Sequence, residues 1–144
     1  MRRADVLVAT SAAVALVLED HERHDVTIRA LRGRTLGLAG HAMFETFSVL
    51  TRLPPPARRP PAVVARLLAT NFPASCHLSA EGAGDLLADL ERGEIAGGSV
   101  YDALVAAAAR EHRRPLATHD HRAMDTYRAV GIEIEVLSAP GVGD

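Results

Sequence analysis

Short apolar runs alternate with helical stretches along this chain, and that alternation limits what it can fold into. Val6–Ala9, Thr35–Leu38, Pro115–Thr118 and Ile132–Leu137 read as buried strands, with Ser75–Leu78 a weaker run of the same kind. Between them lie helical patterns. Ala12–Leu18 is capped by Ser11, and Asp25–Arg32 and His41–Leu53 follow. Ala62–Asn71 is opened by Pro60-Pro61, Ser79–Glu91 comes next, and Ser99–His112 starts after the Gly97-Gly98 break. The last helix is Arg122–Val130. Strands alternating with helices imply a parallel sheet wrapped by helices on both faces. The expected class is therefore α/β, with about four or five short strands, in one domain over residues 1–138 and a tail over 139–144.

The bulk numbers agree with one folded domain. A chain of 144 residues buries about 68–70% of its unfolded surface and can build a core without staples. The apolar content of 48% argues against disorder. Cys76 is the only cysteine, which excludes an internal disulfide and a cysteine-based zinc site and fits a reducing compartment, the cytoplasm. Val6–Leu18 is too short to span a bilayer and has no cleavage site, so neither a membrane segment nor a targeting segment is expected. All 16 basic residues are Arg. The lack of Lys excludes a P-loop and a response-regulator receiver.

In open parallel sheets ligands gather beyond the C-terminal strand ends. Two such ends carry polar residues: Ala9-Thr10-Ser11, and Thr118-His119-Asp120. Asp102 lies in the first turn of the helix that begins at Ser99. Each acid also has a plain structural reading. Asp102 with Ser99 forms a capping box, and Asp120 caps the helix after it. Glu45 falls opposite Met43, Phe47 and Leu50 on a helical wheel, so periodicity makes it a solvated residue. Asp125 is a solvated helix position. His119 and His121, like His21 and His24, read as surface or loop histidines, because a His pair without a third ligand is weak support for zinc. Neither Gly33–Gly40 nor Gly82–Gly84 has the dinucleotide-binding spacing. Arg58, Arg59, Arg110, Arg113, Arg114 and Arg122 are candidate phosphate contacts, or a solvated face.

Taken in order, the pattern is a strand ending in Thr10-Ser11, a helix with Glu45, a Gly-Gly-Ser-x-x-Asp helix start at Asp102, and the strand Leu116-Ala117-Thr118 followed by Asp120. This order resembles the PIN domain, and in size and spacing the VapC ribonuclease toxins of prokaryotic toxin–antitoxin pairs. The resemblance runs from about Asp5 to Leu137. It implies a Mg²⁺- or Mn²⁺-dependent endoribonuclease, acting on transfer or ribosomal RNA through metal-activated water. The family's acids map to Ala9, Glu45, Asp102 and Asp120, with Asp102, Asp120 and Glu45 as metal residues. Thr10, Ser11, Ser99 and Thr118 would support them, and Arg110, Arg113, Arg114 and Arg122 would touch RNA. A VapB-like antitoxin and a homodimer are the implied partners.

The departure is Ala9, where the family's opening strand ends in Asp. Converging carboxylates repel by about 4 kcal/mol per pair at ~4 Å and an effective dielectric near 20, a cost that a hard cation offsets. Loss of a ligand should cost at least the ~10–100-fold typical of a supporting residue. This form is therefore expected to be catalytically impaired. Retention of Glu45, Asp102 and Asp120 favours an engineered Asp-to-Ala change over a naturally degenerate paralogue. The rival readings are a non-catalytic PIN-like module that binds protein or RNA, and a nuclease for structured DNA.

Overall fold

The structure, a computed structural model, describes residues 2–139. Residues 140–144, most of the expected tail, lie outside the described residues. Four strands form one parallel sheet in the order β2-β1-β3-β4, namely β1 Val6–Val8, β2 Leu36–Leu38, β3 Leu116–Thr118 and β4 Ile134–Val136. The register sets Val8 beside Leu38 and Ala117. Seven α-helices accompany them: α1 Thr10–Val17, α2 His24–Leu31, α3 Ala42–Thr51, α4 Pro61–Asn71, α5 Ala80–Arg92, α6 Ser99–Glu111 and α7 Met124–Val130.

Alternate residues of a strand point to opposite faces, and the core divides accordingly. Leu7 and Leu116 pack with α5, α6 and α7, through Leu86, Ala103, Ala106, Tyr127 and Val130. Val6, Val8, Leu38 and Ala117 pack on the other face, with Ala13, Leu31, Leu50, Val64 and Leu68 of α1–α4. The central strands are buried on both faces, which explains their continuous apolar sequence.

Four local expectations need correction. Ser75–Leu78 is not a strand; its only sheet pairing is the Ala39–Cys76 bridge. Its polar groups are used otherwise, since the Ser75 hydroxyl accepts from Leu38 N–H at 2.9 Å and donates to the Phe72 carbonyl. The segment can run this close only because position 37 is glycine. A Cβ there would lie 2.2 Å from the Ala74 carbonyl oxygen. Second, α1 begins at Thr10, so Ala9 rather than Ser11 is the residue that precedes it, and no side chain caps the helix. Third, α6 has no side-chain cap, so Ser99 and Asp102 form no capping box. Fourth, the helix expected from Arg122 starts instead as a 3-10 turn, His121–Ala123, before α7.

Candidate active site

Neighbouring strands end side by side, so the segments that leave β2, β1 and β3 share one edge of the sheet. The chain uses all three ends. Ala9 comes directly after β1, its N–H donating to Ala117 O at 3.0 Å. Asp120 stands two residues beyond β3, and Glu45 lies in the first turn of α3, soon after β2. Asp102 comes from the first turn of α6. Ala9, Glu45, Asp102 and Asp120 line one cleft of about 60 Å³, together with Thr10, Ser11, Val105 and Tyr127. Residues from position 9 to position 127 therefore meet in a space with room for only a few waters.

Hydroxyl groups hold the edges of this cleft. The Thr118 hydroxyl accepts the Asp120 N–H at 2.9 Å and lies 3.2 Å from that of Ser11. Ser11 Oγ also accepts the His119 N–H at 2.9 Å. Rather than capping α1, the Ser11 hydroxyl ties that helix to the turn that carries Asp120. Asp120 Oδ1 accepts the Arg122 N–H at 2.9 Å, so this acid does cap the turn after it, and it lines the cleft as well. Thr10 Oγ1 makes a long 3.5 Å contact to Glu45 Oε2, and His41 Nε2 lies 3.5 Å from Glu45 Oε1. The wheel that makes Glu45 a solvated residue takes no account of what the N-terminal end of α3 faces.

Electrostatics record the convergence. Burial, followed by repulsion from Asp120 and Glu45, raises the Asp102 pKa above the ordinary carboxylate value. Three carboxylates with hydroxyl neighbours are the oxygen-donor chemistry a hard divalent cation takes. The set is one acid short at Ala9, and among the described residues no three His, Cys, Asp or Glu side chains form a metal-holding group. The donors fit such a cation in kind and fall short of it in number.

Other candidates lie elsewhere. Ser99 is exposed and does not line the cleft. Arg110 bonds the Val130 carbonyl and Asp89, and Arg114 bonds the Ala4 carbonyl. With Arg113 they sit at the far end of α6 from Asp102, about 12 Å or more along the axis at ~1.5 Å per residue. Arg122 is beside the cleft, its Nε 3.8 Å from Asp120 Oδ1.

Two residues escaped the sequence reading. Tyr127 is buried and lines the cleft; burial, then the charge of Asp102, raises its phenol pKa further. His119, expected at the surface, is 2% exposed. Its Nε2 lies 2.6 Å from Thr27 Oγ1 and its Nδ1 2.9 Å from Ser138 Oγ. Burial, aided by the nearby Arg23, lowers its pKa to about 4, so the ring is neutral. The only signal for either residue was proximity in sequence to Asp120.

The sequence profile of the PIN domain matches residues 6–129. The chain belongs to the PIN domain family. Within it, the chain is 46% identical over 131 residues to Ribonuclease VapC27 of Mycobacterium tuberculosis, covering 91% of this chain and 96% of that one. Ribonuclease VapC40 of the same organism is 41% identical over 133 residues, covering 90% and 96%. Among solved PIN folds, Mycobacterium tuberculosis VapC20, a Sarcin-Ricin loop cleaving toxin, superposes with a TM-score of 0.64 at 23% identity over 88% of this chain and 95% of that one. VapBC2 from Rickettsia felis, bound to a DNA fragment from their promoter, gives the same score at 15% identity, covering 91% and 97%. The parallel sheet with helices on both faces is thus the PIN fold.

Proposed function

We propose that this chain is the toxin of a toxin–antitoxin pair, an endoribonuclease of the VapC kind, in a form whose catalysis is impaired at Ala9. The observation that carries the reading is the meeting of Glu45, Asp102 and Asp120 with Ala9 in one cleft at the sheet's C-terminal edge. Ribonuclease VapC27, at 46% identity, supports the activity. With an acid restored at position 9, Asp102, Asp120 and Glu45 would hold Mg²⁺ or Mn²⁺, which would polarise the scissile phosphate and acidify the attacking water. Glu45, with His41 3.5 Å from one oxygen and Thr10 3.5 Å from the other, would orient the attacking water or meet the metal through water. Thr118 and Ser11 hold the Asp120 turn in place. Tyr127, buried, adds its ring to the lining of the cleft.

A VapB-like antitoxin is the proposed partner. It finds support in an apolar groove of about 570 Å³ between α3 and α4, lined by Met43, Phe44, Phe47, Leu68 and Phe72. Phe44 is 62% exposed there, as expected of a residue that a partner covers. A homodimer and a cytoplasmic setting complete the proposal. Among the described residues, no helix is long and apolar enough to cross a membrane.

Ala9 also favours a second reading, a PIN module that binds RNA or protein without cutting. One experiment separates the two. RNA 5′ ends are sequenced after brief induction of the Ala9→Asp protein, with purified protein tested on the same RNAs with Mn²⁺. Discrete new ends that require the divalent ion support the nuclease; a revertant that cuts nothing leaves the binding module.

A further inference from the structure

Beside the carboxylate cleft lies a larger one of about 270 Å³, with Val14, His21, Arg23 and His119 in its wall and exposed Glu22 at its edge. Thr10 and Ser11 line both, so the two clefts adjoin at the first turn of α1. The first, at about 60 Å³, has no room for a nucleoside. An RNA whose scissile phosphate lies against the acids must place the adjoining sugar and base outside it. The second cleft is close to the ~300 Å³ at which pockets begin to hold small organic ligands.

Its lining suits a nucleotide. The Arg23 N–H donates to His21 Nδ1 at 3.0 Å, so the neutral ring carries its proton on Nε2. Among the described residues none accepts from that nitrogen. His21 therefore offers both a flat face and a directed donor. Arg23 is 8% exposed and donates to the His119 carbonyl at 3.2 Å, fixing a positive charge behind the cleft. Val14 adds apolar surface, and the Glu22 carboxylate can accept from a base amino group. Rings that stack and groups that read base edges are how single-stranded RNA is recognised.

We propose that this cleft is a nucleotide subsite, taking one base and its sugar of single-stranded RNA next to the scissile phosphate. The inference rests on the ribonuclease reading. Because Ala9 impairs cutting, the chain as it stands suits a binding test. The probe is a labelled single-stranded RNA of about eight nucleotides, within the ~4–16 that such sites span, carrying 4-thiouridine. Photocrosslinks should map to residues 21–23. His21→Ala should weaken binding about tenfold, the scale of one lost stacking contact. Val14→Met, which fills the cleft from α1, should do the same, with thermal melts confirming that both variants fold. Binding that is unchanged in both variants overturns the subsite and leaves the ribonuclease reading to the Ala9→Asp cleavage assay, which decides it separately. Failure of the RNA to bind overturns the subsite whatever that assay gives.

Discussion

The Thr118 hydroxyl accepts the backbone N–H of Asp120 at 2.9 Å, so the strand itself anchors the turn that presents the acid. Thr118 is fully buried and also lies 3.2 Å from Ser11 Oγ. Thr118→Val keeps the shape and removes both contacts, together with the side-chain hydrogen bond to Tyr127. It should cost about 1–3 kcal/mol, the cost of leaving buried polar groups unpaired, read from denaturant unfolding. In an Ala9→Asp background it should also lower cleavage more than Ser99→Ala, because Ser99 lies outside the cleft.

Asp102 is raised by burial, Asp120 and Glu45, so its ionisation works against folding. The folded protein binds its proton more tightly than the unfolded chain, and stability therefore falls as pH rises from the ordinary carboxylate value through the raised one. Asp102→Asn should raise the melting temperature of metal-free protein at pH 7. The gain should vanish below pH ~3.8, where the native carboxyl is protonated in both states. A gain that persists unchanged into acid would sink the repulsion argument.

Ala9→Asp sets two effects against each other. Position 9 precedes α1, where Asp is a favoured cap worth about 1 kcal/mol. Repulsion from three acids is larger, about 4 kcal/mol for any pair at ~4 Å. The revertant should melt lower than the Ala9 protein without divalent ions, and higher than it once Mn²⁺ is added. Calorimetry of both proteins, with and without the ion, checks this.

His119 has its pKa lowered to about 4, against about 6.5 unfolded. The unfolded chain binds the extra proton first, so the stability that the neutral ring contributes is present above pH ~6.5 and lost as pH falls toward 4. The pH slope of stability between these values should flatten by up to about one proton in His119→Gln. An unchanged slope would show that the ring is not the group titrating.

The sheet was readable because β1 and β3 are buried on both faces and so carry apolar residues throughout. Asp120 and Ala9 could be placed because the end of a strand fixes the position of the next residues in the chain. Glu45 could not be placed from its wheel. Helical periodicity separates core from outside and does not distinguish solvent from a cleft at the helix end. His119 was misread because its partners, Thr27 and Ser138, are 92 and 19 residues away. Ser75–Leu78 resembled a strand because its backbone does approach β2, but at one bridge only. In each case the hidden element was a tertiary contact with no local pattern.

The backbone at Ala9 is held by its bond to Ala117 and by burial, 4% exposed, with no help from a side chain. The course of the backbone there thus needs no polar side chain at position 9, whereas the charge of the cleft depends on which residue stands there. A carboxylate at position 9 would complete a set of four acids on a backbone whose course is already set by the bond to Ala117.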